Sequence, residues 1–294
     1  MLKSNSMENY WKTLESKKPV PKFVKKINII EFDKLKKSIN CKNEIFVKNL
    51  ARKMYNGEAF IVRNAAKKNL KGIMLNLAKH YDKKQKPSFH KMLDGTPNFH
   101  RIINKKITKK YSLYAIKHSY FLYNWNIKSK LEKDFKKGVY RHWRYVKFLA
   151  GNSKFQYEKN IPSQMQIDRL QIVNYPHGGG ELRDHVDPRK NQRVVSGLIM
   201  SKKGVDFDQG GFYFRGKNYK KLNIEDRLEI GDSVIFYGSI VHGVEKVDKN
   251  KKLDWKSYDG RWFIGMFVNE SNHVKNRITA SDLSNSTNFK KKAS

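Results

Sequence analysis

The fold is decided by five apolar runs: MQIDRLQIVNY (165–175), RVVSGLIMS (193–201), GGFYFR (210–215), DSVIFYG (232–238) and RWFIGMFVN (261–269). Each run is rich in β-branched or aromatic residues, and glycine-rich or charged turns separate them. Runs of this length and spacing predict an all-β sandwich or barrel. We assign residues 165–270 to this β core.

The preceding part of the chain, residues 27–164, has a mixed pattern. Apolar residues recur at helical spacing in three segments, and two others are β-prone. The predicted elements are helices over 44–55, 67–80 and 128–150, a strand over 59–62 and a β-prone aromatic stretch over 111–125. Residues 83–110 are predicted to be a loop. The expected fold class is therefore α+β, with helices from the N-terminal half packed against the β core.

The two ends of the chain are polar. Residues 1–26 are rich in lysine and contain prolines at 19 and 21, so we expect a basic lead-in arm or a loosely docked lead-in segment, and not a domain. Residues 271–294 are rich in serine, asparagine and lysine, and we expect a polar tail that is mobile over most of its length.

The charge of the chain is strongly positive and unevenly distributed. Its 294 residues carry a net charge of +35. Residues 1–150 hold 37 Lys and Arg against 10 Asp and Glu, whereas residues 151–294 hold 25 against 17. Such a surface attracts nucleic acid, anionic lipid or an anionic small molecule. Lysine outnumbers arginine 49 to 13, however, and solvated lysines on helix faces explain the excess equally well.

The composition also limits the kind of metal site. Cys41 is the only cysteine, so neither an intrachain disulfide nor a cysteine-rich zinc site can form, which agrees with a reducing compartment. Any metal must be held by histidine and carboxylate. No apolar run is fit for a signal peptide or a membrane span, so we expect a cytoplasmic protein.

Three residues have the spacing of a non-haem iron site. Such sites use two histidines and one carboxylate on one face of the ion. His185 and Asp187 form a His-x-Asp pair, and side chains two apart on a strand point the same way. His242 follows the apolar run 232–238 and is the candidate third ligand.

In their order, the residues around this pair resemble the iron(II)- and 2-oxoglutarate-dependent oxygenases, in particular the jelly-roll branch that contains the prolyl hydroxylases. The resemblance covers about residues 165–270. Its elements are Tyr175, Gly178-Gly179-Gly180, the His185 and Asp187 pair, Arg193-x-x-Ser196, Gly210-Gly211-Phe212-Tyr213-Phe214, Gly231-Asp232, His242 and Arg261. It implies a double-stranded β-helix, also called a jelly roll or cupin-like fold.

The resemblance also implies roles for individual residues. His185, Asp187 and His242 would bind iron(II), and Tyr175 and Ser196 would contact 2-oxoglutarate. A basic residue pairs with the distal carboxylate of the co-substrate in this family. Arg261 follows His242 by nineteen residues, a longer interval than is usual there, and Lys252 stands at the usual distance. We favour Arg261, because it opens an apolar strand and offers bidentate geometry, while the segment between His242 and Arg261 is predicted to be a lengthened loop.

The implied chemistry is oxidative decarboxylation of 2-oxoglutarate to succinate with dioxygen, coupled to hydroxylation of a C–H bond. Asp187 argues against halogenation, which would require the carboxylate ligand to be absent. The expected substrate is an anionic small molecule such as a sugar acid or nucleotide, and nucleic acid or a protein side chain is the alternative. An alternative of another class is a cupin-like metal protein that is not an oxygenase.

Other histidines and glycines have simpler explanations. His90, His100 and His118 lie among aromatic and basic residues, and we expect them to be structural or substrate-facing and not metal ligands. The Gly178–Gly180 turn is not a phosphate-binding Walker loop, because no Gly-Lys-Ser/Thr follows it.

Overall fold

The computed structural model describes residues 4–17 and 19–284, and thirteen strands within them form one continuous mixed sheet. The strands are β1 Lys26–Glu31, β2 Glu58–Arg63, β3 Phe99–Ile103, β4 Ala115–Tyr123, β5 Gln166–Pro176, β6 Gly180–Val186, β7 Val194–Ile199, β8 Gly211–Arg215, β9 Lys221–Asn223, β10 Ser233–Tyr237, β11 His242–Val247, β12 Gly260–Glu270 and β13 Ser281–Asp282. The α-helices are α1 Ser4–Lys17, α2 Phe32–Asn40, α3 Glu44–Tyr55, α4 Leu70–Lys84 and α5 Lys130–Leu149.

Strands β5 to β12 have the order of a jelly roll. One half of the barrel is β10-β7-β12-β5 and the other is β6-β11-β8-β9, with every neighbouring pair antiparallel. Because β5, β6, β7 and β8 alternate between the two halves, the chain winds as a double-stranded β-helix. The predicted fold class, a jelly-roll core with N-terminal helices, is confirmed.

The N-terminal half extends and covers this barrel. β4 pairs with β5 and with β6, so it joins the two halves along one side. β2 pairs with β10, and β1 lies parallel to β2 at the outer edge. Helix α5 packs against β7 and α3 against β10, and their apolar side chains share one core with the larger sheet. None of the helices within the described residues is long and apolar enough to cross a membrane.

Several elements of the N-terminal half differ from the sequence-based predictions. The predicted helices correspond to α3, α4 and α5, and the strand over 59–62 lies inside β2. The loop predicted over 83–110 is wrong in part, because it contains β3. No local sequence pattern indicated β3, because this strand is stabilised by its pairing with β4. α2 and β1 were not predicted.

Residues 4–17, within the predicted lead-in, form a helix that docks on the core. Met7 and Trp11 are fully buried, and the Trp11 indole N–H donates to the carbonyl of Leu149 at 2.7 Å. Arg193, which directly precedes β7, forms a 3.0 Å ion pair with Glu15 of the same helix. Met7, Trp11 and Leu14 lie one and two helical turns apart, so a single apolar stripe docks an otherwise polar segment.

The C-terminal tail is seated on the barrel as far as residue 284. β13 pairs with β6, with Ser281 opposite Val186 and Asp282 opposite His185. The Tyr114 N–H donates to the Asp282 carboxylate at 2.8 Å, and this hydrogen bond helps to hold β13 beside β6. The remainder of the predicted tail, 285–294, lies outside the described residues.

Candidate metal centre

The His-x-Asp pair and the distal histidine meet at one end of the barrel. His185 lies near the end of β6, Asp187 follows that strand, and His242 begins β11. Because β6 and β11 are antiparallel neighbours with His242 opposite His185, the register itself brings the two rings together. The ring centroids are 4.1 Å apart, and His242 Nε2 lies 3.4 Å from an Asp187 carboxylate oxygen. One ligand atom from each residue lies within 4.8 Å of the others.

Both imidazoles are prepared to donate a lone pair. His185 Nδ1 lies 2.9 Å from the carbonyl of Arg183, and His242 Nδ1 lies 3.0 Å from the carbonyl of Ile240. A carbonyl can only accept, so each Nδ1 carries the hydrogen and each Nε2 is free. Backbone acceptors of this kind orient histidines that bind metals.

Burial sets the charge of the centre. His185 and His242 are 4% and 6% exposed, and burial lowers the pKa of each to about 4. Both rings are therefore neutral near pH 7, as metal binding requires. Burial also raises the pKa of Asp187, with His185 acting in the opposite direction. Two neutral imidazoles and one carboxylate are a donor set that suits iron(II) and related divalent ions.

The centre lies in the wall of a cavity of about 310 Å³ inside the barrel. Phe236 and Phe212 pack beside His242, with ring centroids 4.7 and 5.7 Å from the imidazole. These rings keep part of the wall apolar and shield the centre from bulk water. A volume of this size is that of a small-molecule site.

Arg261 opens β12, as predicted, and lines the same cavity. The segment 248–259 between β11 and β12 contains no strand, which confirms that this insertion is a loop. Arg261 is 2% exposed, and its Nε donates to Glu225 Oε2 at 2.9 Å. Within residues 4–17 and 19–284, no partner is found for its two terminal nitrogens. Lys252, the alternative, is exposed and does not line the cavity.

Tyr175 is the neighbour of Arg261 across the β5–β12 pair and also lines the cavity. Its hydroxyl is buried and has no hydrogen-bond partner in the described part of the chain. Burial raises the pKa of Tyr175, so the hydroxyl stays protonated and can donate. An unpartnered buried donor beside a buried cation fits the carboxylate of an oxo acid.

Ser196 also lines the cavity, but its hydroxyl already has hydrogen-bond partners. Its hydroxyl is 3.1 Å from Nε2 of His142, on helix α5, and 3.0 Å from the Ser233 hydroxyl. Alternation along β7 points this hydroxyl toward α5, although Ser196 lines the cavity together with Val195 and Gly197. The predicted contact of Ser196 with 2-oxoglutarate stays a prediction.

A set of cations in the cavity wall was missed by the sequence analysis. These residues come from β3, β4, β5 and the C-terminal segment, and they are Arg101, Lys117, Arg169 and Arg277. No local motif links them, because only the closed barrel brings them together. Arg169, a cation within the β-prone run 165–175, was the available signal.

No known protein-family model and no curated protein matches this chain. Several solved structures are similar to it. A prolyl-4-hydroxylase from Pseudomonas putida is 10% identical, with 71% of this chain and 91% of that chain covered and a TM-score of 0.43. A full-length Neurospora crassa protein in complex with alpha-KG is 14% identical, with 84% and 86% covered and a TM-score of 0.49. A putative 2OG-Fe(II) oxygenase family protein from Caulobacter crescentus is 12% identical, with 82% and 86% covered and a TM-score of 0.47.

Proposed function

We propose that the chain is an iron(II)- and 2-oxoglutarate-dependent oxygenase. The observation that carries the proposal is the convergence of two neutral histidines and one carboxylate on a cavity that also holds an arginine with free terminal nitrogens. When bound, iron with 2-oxoglutarate and dioxygen supplies the oxidation, in which one oxygen atom enters succinate as carbon dioxide leaves and the other hydroxylates a C–H bond.

Each residue of the site has a distinct task in this proposal. His185 and His242 bind iron through Nε2, and Asp187 binds it through a carboxylate oxygen. Arg261 pairs with the distal carboxylate of 2-oxoglutarate through its terminal nitrogens, while Glu225 holds Nε and fixes the plane of the guanidinium. Tyr175 donates its hydroxyl hydrogen to the same co-substrate.

We further propose that the substrate is an anionic small molecule. Arg101, Lys117, Arg169, Arg261 and Arg277 line the cavity, and Asp187 is the one acidic residue among the described residues that do so. Burial, together with the charges of Arg169 and Arg101, lowers the pKa of Lys117 to about 8. Arg261 pairs with Glu225, but the other four cations have no ion-pair partner within the described residues, and such a group favours a ligand that supplies the missing negative charge.

Aromatic rings hold two of these cations in place. The Arg169 guanidinium lies 5.2 Å from the Phe121 ring centroid and 5.1 Å from that of Phe267. Arg101 stacks over Phe99 and Phe121. Neither arginine has an ion-pair partner in the ranges that the structure describes. Guanidinium groups positioned in this way are suited to planar carboxylate or phosphate groups.

The experiment that tests the function is 2-oxoglutarate turnover by the iron-loaded protein, measured as succinate against a panel of anionic metabolites and their neutral analogues. An oxygenase of this kind gives succinate that rises with an anionic member of the panel. Stimulation by an oligonucleotide or peptide alone would replace the proposed substrate class. Metal binding without binding or turnover of 2-oxoglutarate would favour the cupin-like metal protein, because such a protein needs no cation for an oxo acid.

A further inference from the structure

A second group of two histidines and one aspartate lies on the outer face of the sheet. Asp82 comes from α4, His100 from β3 and His118 from β4. Side chains alternate along β4, so Lys117 lines the cavity while His118 faces α4. His100 and His118 are only 2% and 8% exposed. The group is separated from the candidate iron centre by the sheet.

The three ligand atoms form a small triangle. His100 Nδ1 and His118 Nε2 are 2.8 Å apart. Asp82 Oδ1 lies 3.3 Å from His100 Nδ1 and 3.6 Å from His118 Nε2. Atoms bound at roughly 2.0–2.1 Å around a tetrahedral ion are about 3.3–3.4 Å from one another. The two edges from Asp82 are close to this separation, whereas the 2.8 Å edge between the imidazoles must open by about 0.5 Å when an ion binds.

Hydrogen bonds on the far side of each ring leave both facing nitrogens without a hydrogen. His100 Nε2 contacts the backbone carbonyl of Gln85, which can only accept, so Nδ1 is bare. His118 Nδ1 lies 3.2 Å from the Tyr120 hydroxyl, whose own hydrogen goes to Asp82 Oδ2 at 2.9 Å. His118 Nδ1 is therefore the donor, and Nε2 is bare. Two lone pairs that face each other at 2.8 Å repel unless a cation lies between them.

The carboxylate is prepared in the same way. Tyr120 and Tyr258 both donate to Asp82 Oδ2, at 2.9 and 2.7 Å. Oδ1 is buried and has no hydrogen-bond partner among the described residues. Oδ1 is thus free to bind a metal at the point where the two imidazole lone pairs converge. Hydrogen bonds from outer residues commonly orient metal ligands in this way.

We propose that Asp82, His100 and His118 bind a divalent transition-metal ion of the zinc class. Two imidazoles and one carboxylate are a common zinc donor set, and a water or a small anion completes it from the adjoining cleft. That cleft is lined by Lys83, Lys86 and Trp255 among others. The ion clamps α4 to β3 and β4, and through Tyr258 it holds the loop that leads to Arg261.

The experiment uses the full chain carrying His185→Ala and Asp187→Ala, so that the candidate iron centre contributes no metal. Zinc content after gel filtration and the visible spectrum of the cobalt(II)-loaded protein are measured. We expect about one zinc per chain and the absorption bands of four- or five-coordinate cobalt. Adding Asp82→Asn or His118→Gln should remove both signals, and the exposed His90→Gln should leave them unchanged.

Tyr258→Phe is the graded variant, because it keeps all three ligands and removes one hydrogen bond to Oδ2. Losses at such outer positions weaken metal affinity by roughly 10–100-fold, so the stoichiometry should persist at higher zinc concentration. If the His118→Gln protein does not fold, Asp82→Asn is the deciding variant, because Asn has the shape of Asp and Asp82 is partly exposed. The proposal is overturned if the His185→Ala, Asp187→Ala protein takes up no zinc and added zinc does not raise its melting temperature. The two imidazoles would then share a proton in place of a metal ion.

Discussion

At the scale of single residues, Arg261 and Lys252 are the two candidates for the cation that binds the distal carboxylate of 2-oxoglutarate. A charge-assisted bidentate pair in a desolvated pocket is worth on the order of 2–4 kcal/mol when one partner is removed. Arg261→Ala should therefore raise the dissociation constant of 2-oxoglutarate by roughly thirty-fold or more, with metal binding intact. Titration of the iron protein without oxygen measures this, and Lys252→Ala should change little.

The ion pair with Glu225 complicates that variant. Removal of Arg261 leaves Glu225, which is 1% exposed, buried without its partner, and this costs stability. Arg261→Lys is the matched control, because it keeps a charge near Glu225 and loses the planar fork. If Lys252→Ala weakens 2-oxoglutarate binding more than either change at residue 261, the assigned anchor is wrong.

The iron ligands give a second prediction at this scale. His185→Ala or Asp187→Ala should abolish binding of one iron(II) per chain, because each leaves two donors where three are needed. Metal analysis after anaerobic loading measures the loss. His273→Ala, at an exposed histidine paired with Asp94, is the control and should keep its iron. Full iron occupancy in both triad variants would contradict the assignment.

At the scale of elements, helix α5 begins with a capping box. Ser129 accepts a hydrogen bond from the Glu132 N–H, and Glu132 accepts one in return from the Ser129 N–H. Burial opposes ionisation of Glu132, but hydrogen bonds from Tyr81 and from the Ser129 and Lys128 amides prevail and lower its pKa to about 2. The carboxylate is thus worth most to the helix when it is charged.

Glu132→Gln should therefore destabilise the protein by about 1 kcal/mol near neutral pH. Because the pKa of Glu132 is lower in the folded protein, the charged carboxylate stabilises the folded state at pH values above the ordinary pKa of 4.5. This stabilisation is lost as the pH falls toward 2. The difference between wild type and variant should shrink over that range, as measured by urea unfolding. Asp134→Asn, at an exposed acid of the same helix, is the control. A difference that does not depend on pH would show that the carboxylate charge contributes nothing.

At the scale of the whole molecule, the net charge of +35 gives a prediction of its own. We expect weak binding to nucleic acid of any sequence, falling steeply as salt rises, because released counterions drive it. Fluorescence anisotropy with unrelated oligonucleotides at several salt concentrations measures the slope. A nanomolar, structure-selective complex at physiological salt would replace the small molecule as the proposed substrate.

The barrel was predictable because its strands carry their own pattern. Runs such as DSVIFYG are apolar and β-branched, and they lie between turns, so local sequence and final structure agree. The His-x-Asp pair was predictable for the same reason, since residues two apart in extended chain at the end of β6 point the same way.

The missed features are those that only three-dimensional closure creates. Arg101, Arg169 and Arg277 belong to distant segments, and no single segment shows that they share a cavity. Asp82, His100 and His118 are likewise scattered, and the hydrogen bonds that expose their lone pairs come from other residues. Helix α1 was missed because three apolar residues dock an otherwise polar segment.

The pairing of β13 with β6 has a consequence for rival ligands. An extended peptide could recognise this molecule by adding a strand to an open sheet edge. The edge of β6 beside His185 is already taken by the chain's own residues 281 and 282, which covalent attachment keeps at a high effective concentration. A free peptide must first displace residues 281 and 282 from β6. An anionic small molecule can enter the cavity without breaking this strand pairing.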